Sequence, residues 1–211
     1  ACLHLSGYPL SLEDLKNFRQ LHSKTPGHPE SFLTEGVETT TGPLGQGVAH
    51  GVGQALGLKL LQARFGTELF SNKVFVLMGD GCMMEGISSE VSALAGHLKL
   101  DNFVLIYDAN RVSLDGPLAE SSSEDTKLRY QAYGWDVLEI DGNDLDAIHE
   151  AFSFIRENQT KPYLVIARTL IGKGAPNKAG THKVHGAPLG KEEVAAAKDA
   201  LGISQDDFFV P

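Results

Sequence analysis

"VFVLMGDGCMMEG", Val74–Gly86, decides how the rest of the chain is read. An apolar run, Val74–Met78, stops at a carboxylate held between two glycines, Gly79-Asp80-Gly81. Glycine and aspartate are common turn residues for ordinary backbone reasons, so one reading is a plain turn. The other is a ligand site, because open α/β sheets bind at the carboxyl ends of their strands.

Three more apolar runs read as strands: Phe103–Tyr107, Trp135–Ile140 and Tyr163–Ala167. Val74–Met78, Phe103–Tyr107 and Tyr163–Ala167 are nearly continuous in apolar character, as expected of parallel strands covered on both faces. Helical patterns alternate with them. Glu85–Leu98 aligns Ile87, Val91, Leu94, Ala95 and Leu98, and Leu145–Arg156 aligns Ile148, Ala151, Phe152 and Ile155. Asp144 and Ser123 stand where N-caps belong, and Ser11 precedes Glu13 and Asp14 in a first turn. The alternation predicts an α/β fold, a doubly wound, mostly parallel sheet with helices on both faces. It is read as a single domain over residues 1–211.

Composition narrows the class. With 42% hydrophobic and 21% charged residues, 211 residues can bury a proper core. The net charge of −9 and the lack of a basic patch argue against a nucleic-acid partner. No apolar run approaches the roughly 18 residues of a membrane helix, so no membrane partner is expected. The two cysteines, Cys2 and Cys82, are too few for a disulfide scaffold and are compatible with a reducing compartment; the chain is read as cytoplasmic. The opening "ACLHLSGYPL" reads as the tail of a helix whose front lies upstream.

Two segments depart from the simple pattern. Gly42–Gly66 looks helical after Leu44 yet carries Gly47, Gly51, Gly53 and Gly57, and glycine costs about 1 kcal/mol against alanine inside a helix. Gly53 and Gly57, four residues apart, suggest close approach to another backbone, either across a subunit interface or on the chain's own sheet. Leu170–Gly190 holds five glycines, two histidines and three lysines, and a connection that long is either functional or disordered.

If the first two strands are neighbours, Asp80 faces Asn110 of "YDANRVS" across the carboxyl edge. A carboxylate, an amide oxygen and a backbone carbonyl such as that of Val112 form a hard oxygen set suited to magnesium, which usually shares such ligands with phosphate. Gly79 and Gly81 leave the backbone open to a phosphate, and a helix beginning near Met84–Glu85 would aim its amides at the same anion. The plainer alternative is two unrelated turns.

Spacing and order carry the argument further. A GDG followed about thirty residues later by an asparagine after an apolar strand resembles the thiamine-diphosphate motif, with "DAN" here where the motif ends in paired asparagines. "TPGHPE" (Thr25–Glu30), "TTGPLGQG" (Thr40–Gly47), "GDGCMMEGISSEV" (Gly79–Val91) and "LIGKGAPNKAGTHKVHGAPLG" (Leu170–Gly190), in this order, resemble the transketolase family. The likeness runs from about Leu3 to the final "FFVP".

That resemblance implies the diphosphate-binding domain of an enzyme moving a two-carbon ketol unit from a ketose phosphate to an aldose phosphate. Its cofactors would be thiamine diphosphate and Mg2+. Asp80, Asn110 and the Val112 carbonyl would hold the metal, and Gly79 and Gly81 would adjoin the diphosphate. Gly42 and Leu44 would line the aminopyrimidine and thiazolium. His28 and His185 would be the catalytic histidines, His185 also touching the cofactor, with His182 an alternative to it. Glu85 and Glu90 would sit at a dimer interface. Lys173 is a phosphate contact or a solvated loop lysine, Cys82 a small packed thiol, and His50, His97 and His149 structural. The resemblance also implies a homodimer, sugar-phosphate substrates, and a pyrimidine-binding domain supplied outside this chain, without which the chain is inactive. A related ketol transferase or synthase, or a non-catalytic magnesium and diphosphate module, are the competing readings; a receiver-like phosphorylation domain, with Asp80 and Asp108 at strand ends, would leave the glycine-rich loops unexplained.

Overall fold

The computed structural model describes residues 1–205. Two short helices open the chain, α1 (Cys2–Leu5) and α2 (Leu12–Lys16). The second begins at a capping box: the Ser11 hydroxyl accepts from the Asp14 N–H at 3.1 Å, and the Asp14 carboxylate accepts from the Ser11 N–H at 2.8 Å. After a long loop comes α3 (Gln46–Phe65), entered through Gly45 at φ 79°. Then follow β1 (Val74–Gly79), α4 (Asp80–Met84), α5 (Gly86–His97), β2 (Phe103–Ala109), α6 (Thr126–Ala132), β3 (Asp136–Asp141), α7 (Leu145–Asn158), β4 (Tyr163–Arg168) and α8 (Lys191–Leu201).

The four strands pair in parallel in the order β1-β2-β4-β3. Gly79 lies opposite Asp108, and Ala109 opposite Arg168, so the carboxyl ends of β1, β2 and β4 finish level. Strand alternation divides the core in two. Phe103, Leu105 and Tyr107 face one way, with Val48 and Val52 of α3, Tyr130 of α6 and Trp135. Val104 faces the other way, with Ile155 of α7, Tyr163 and Val165. Helices therefore cover both faces of a parallel sheet, as the alternation predicts.

Several expectations need correction. Val74–Met78 is not buried throughout: β1 is an edge strand, with Phe75 54% and Leu77 71% exposed. That side of β1 meets α7 through Phe152, the two rings 5.9 Å apart. On α5 the buried stripe is Ser88, Ser92, Ala95 and Gly96, while Leu94 and Leu98 are exposed. Small residues win that face because neighbours press close. Trp135 Nε1 donates to the Ser92 carbonyl at 2.9 Å, and a Cβ on Gly96 would stand 1.9 Å from the Tyr133 carbonyl oxygen. The cap of α6 is Asp125, whose carboxylate accepts from the Leu128 N–H at 3.0 Å, and not Ser123. Asp144 does cap α7, and Ile148, Ala151, Phe152 and Ile155 do form its inner stripe.

The close approach in α3 falls at Gly51, where a Cβ would lie 2.3 Å from Val76 Cγ2 and 3.0 Å from Phe103 Cε2. A Cβ on Gly53 or Gly57 would meet nothing within 4 Å beyond the helix's own backbone, so neither glycine is explained by packing on the chain's own sheet. The glycine-rich segment after β4 is ordered. Glu193 of α8 accepts from the N–H groups of Asn177 and Lys178 and from the Asn177 amide at 2.8–3.0 Å. The "FFVP" end of the resemblance lies outside the described residues.

Candidate functional site

The chain turns from β1 into α4 at Asp80 itself, with Gly79 extended as the N-cap. A helix does start where expected, α5 at Gly86 with Glu85 (ψ 139°) as its N-cap, but the short α4 precedes it and begins at the carboxylate itself. Asp80 is 4% exposed. The Tyr107 hydroxyl at the end of β2 donates to Asp80 Oδ1, and Oδ2, also buried, has no hydrogen-bond partner. Burial raises the Asp80 pKa above its ordinary value, and the Asp108 charge adds to this. The Tyr107 bond works against the rise, as do the backbone N–H groups of Arg111 and Val112, which face the carboxylate without closing a hydrogen bond on Oδ2. Burial, then the carboxylate itself, pushes the Tyr107 hydroxyl up as well.

The turn after β2 therefore sits beside Asp80. Within it Asn110 bridges two groups: its Nδ2 donates to Asp108 Oδ2 at 3.3 Å and its Oδ1 accepts from the Val112 N–H at 3.0 Å. This side-chain turn carries Arg111 at φ 63° and closes through the Val112–Pro117 bridge. Thr169, just past β4, donates its hydroxyl to Asp108 Oδ1.

The glycine-rich loop before α3 lies against the same edge. A Cβ on Gly81 would stand 3.2 Å from Leu44 Cδ1, and one on Gly45 would stand 2.8 Å from Glu85 Cβ. His28 approaches from the "TPGHPE" turn, with its ring 3.4 Å from where a Gly42 Cβ would be. The structure thus joins His28 to Gly42, Leu44 to Gly81, and Asp80 to the Asn110–Val112 turn. His182 and His185 bracket one exposed 3-10 turn on the segment after β4, and no described contact ties either to Asp80. Lys173, Glu85, Glu90, His50, His97 and His149 are all exposed, whereas Cys82 packs half-buried against the core. A cavity of about 620 Å³ opens beside Asp80, lined also by Tyr107, Arg111, Ser123, Glu124 and Arg168.

Tyr107, Thr169 and Arg129 are not among the expected site residues, and Asp108 enters the sequence reading only as a strand-end carboxylate of the receiver-like alternative. Arg129 donates to Ser89 Oγ at 3.1 Å and to the Met83 carbonyl at 3.2 Å, and pairs with Glu124 at 2.9 Å, so it clamps the end of α4. Tyr107 and Asp108 had a usable signal: both are polar-ended residues closing an apolar strand, next to Asn110. Among the described residues no three His, Cys, Asp or Glu side chains converge as a metal set. One carboxylate joined by amide and backbone oxygens is a different kind of donor set.

Fold and edge together define an open parallel α/β domain whose polar groups converge at the carboxyl ends of its strands. The model of the family described as "Transketolase, thiamine diphosphate binding domain" matches residues 1–211, and the chain belongs to that family. It is 52% identical to Transketolase 1 of Escherichia coli (strain K12), over 99% of this chain and 32% of that protein. The transketolase structure from Campylobacter jejuni superposes with a TM-score of 0.95 at 52% identity, over 99% of this chain and 33% of that one. The Pichia stipitis transketolase in complex with sedoheptulose-7-phosphate superposes at 0.94 and 45% identity, over 100% of this chain and 32% of that one. The chain thus spans about a third of the length of the relatives it matches.

Proposed function

We propose that this chain is the diphosphate-binding domain of a transketolase, holding the magnesium and diphosphate of thiamine diphosphate. The observation that carries this is the buried Asp80 carboxylate, with one oxygen satisfied by Tyr107 and the other left without a partner at a strand end. An orphaned buried acceptor is costly, and a cation is its natural complement. The donor set fits: Asp80 Oδ2, the Asn110 amide oxygen and the Val112 carbonyl would hold magnesium, whose remaining positions suit water and diphosphate oxygens. Gly79 and Gly81 keep side chains out of the way of the diphosphate, and Gly42 and Leu44 would flank the rings of the cofactor.

When bound, thiamine diphosphate supplies the carbanion chemistry. The chain's own residues position and protonate. His28 and His185 would donate hydrogen bonds to substrate hydroxyls and carry protons during addition and release. We further propose sugar-phosphate substrates, a place in the pentose phosphate pathway, a cytoplasmic location, and a homodimer whose pyrimidine-binding domain is supplied outside residues 1–211. Relatives named as transketolases, one of them solved with a sugar phosphate, support this reading. The test is ketol transfer between xylulose and ribose phosphates. The chain alone should show no turnover. Assembled with its pyrimidine-binding domain it should turn over, and Asp80→Ala should abolish that activity. Turnover by the chain alone, or an active Asp80→Ala variant, would contradict the proposal.

A further inference from the structure

We infer that Asp108 is a positioning residue that sets which end of the Asn110 amide is presented to the metal, an inference that rests on the magnesium reading above. An amide has one end that accepts and one that donates, and only the oxygen can ligate a hard cation. Asn110 is read from both sides: Asp108 Oδ2 accepts from its Nδ2 at 3.3 Å, and the Val112 N–H donates to its Oδ1 at 3.0 Å. Turning the amide over would set an oxygen against the carboxylate and an NH2 against the N–H. Both contacts would become repulsive. Without Asp108 only the Val112 contact would choose between the two orientations.

Asp108 is itself fixed. It lies opposite Gly79 in the β1–β2 register and opposite Ala167 in the β2–β4 register. Its other oxygen receives the Thr169 hydroxyl. Consecutive residues of β2 thus divide one task. Tyr107 aims the Asp80 carboxylate, and Asp108 aims the Asn110 amide. Partners that orient metal ligands from behind typically change metal affinity ten- to a hundredfold when lost.

The test measures the Mg2+ concentration that gives half-maximal thiamine-diphosphate retention in equilibrium dialysis, using protein assembled with its pyrimidine-binding domain. Asp108→Ala should raise that concentration about tenfold or more. Asn110→Ala should raise it at least as far, and the double variant should stay within about twofold of Asn110→Ala, because a residue acting through Asn110 has nothing left to orient. Asn110→Asp should also bind Mg2+ poorly, since it sets two carboxylates against each other. Adding Asp108→Asn to it restores a donor facing an acceptor and should bring retention back to within a few-fold of wild type. An Asp108→Ala variant equal to wild type, or single effects that multiply in the double variant, would overturn the inference alone. If Asp108→Ala does not fold, the exchange decides: recovery supports the inference and no recovery overturns it. Wild-type protein that retains thiamine diphosphate without Mg2+, or not at all, would overturn the magnesium reading and the inference with it.

Discussion

The Tyr107 hydroxyl donates to one oxygen of the Asp80 carboxylate and leaves the other buried and unpartnered. This holds the carboxylate in one orientation while withholding half of its hydrogen-bonding capacity. The arrangement costs stability in the absence of a cation, since a buried unsatisfied acceptor is worth about 1–3 kcal/mol. Asp80→Asn keeps the shape and removes the charge. It should stabilise the ligand-free chain by about 1 kcal/mol or more in urea denaturation, while abolishing any stabilisation by Mg2+ with thiamine diphosphate. A variant less stable than wild type would show that the carboxylate is satisfied in some other way.

Proton competition should be visible at the same residue. Burial raises the folded-state pKa of Asp80 above its ordinary 3.8. Between those two values the folded chain binds more protons than the unfolded one, so the contribution of Asp80 to ligand-free stability falls as pH rises through that window. Mg2+ needs the ionised carboxylate, so metal affinity runs the other way. Log affinity should climb by up to about one per pH unit through the window and flatten above it. An Mg2+ affinity independent of pH across the acidic range would contradict this.

Tyr107→Phe removes the hydroxyl without changing the ring, which is packed in the core. Both Asp80 oxygens then lack a partner. The ligand-free chain should lose about 1–3 kcal/mol in urea denaturation. In the Asp80→Asn background the same change should cost less, because no buried charge remains to be satisfied. Equal losses in both backgrounds would mean that Tyr107 stabilises the fold independently of Asp80.

Glycines of α3 should separate by position. At Gly51 a Cβ would fall 2.3 Å from Val76 Cγ2, so Gly51→Ala should destabilise by about 1–3 kcal/mol. At Gly53 a Cβ would meet nothing within 4 Å beyond the helix's own backbone, and Gly53→Ala should stabilise the isolated chain by about 0.5–1 kcal/mol through helix propensity alone. If Gly53 and Gly57 serve a subunit interface, that same change should lower dimer affinity in sedimentation measurements. Stabilisation with undisturbed assembly would remove the interface reading.

Glu193 should report on the segment carrying His185. The Asn177 side chain, the Asn177 N–H and the Lys178 N–H hold its carboxyl below the ordinary 4.5. A depressed folded pKa gives a contribution that is complete above 4.5 and fades as pH falls through the lower folded value. Glu193→Gln should speed amide exchange at Asn177 and Lys178 at neutral pH and weaken the acid dependence of that exchange. Unchanged protection would mean the segment is held elsewhere.

The parallel sheet was legible because β2 and β4 are the continuous apolar runs expected of doubly covered strands, and Asp144 and Ser11 mark helix starts by their own hydrogen bonds. That the turn carrying Asn110 lies beside Asp80 was legible once β1 and β2 were taken as neighbours. What escaped was set by tertiary contact. Ser88, Ser92 and Gly96 face inward because Trp135 and Tyr133 crowd α5, and no periodicity of apolar residues shows that. Exposure of Phe75 and Leu77 follows from the place of β1 at the sheet edge, which strand composition does not encode. The parts of Tyr107, Asp108 and Thr169 depend on strands that are distant in sequence finishing level.

Whether the site is preformed is decided by thermal unfolding of this chain, titrated with thiamine diphosphate and Mg2+ beside Asp80→Ala. A ligand bound only by the folded state stabilises it by about 2.7 kcal/mol at a hundredfold excess over Kd. A preformed site gives a rise in melting temperature that needs both ligands and vanishes in the variant. A rise that needs no Mg2+, one that survives Asp80→Ala, or no rise at all would contradict a preformed magnesium and diphosphate site at the ends of β1 and β2.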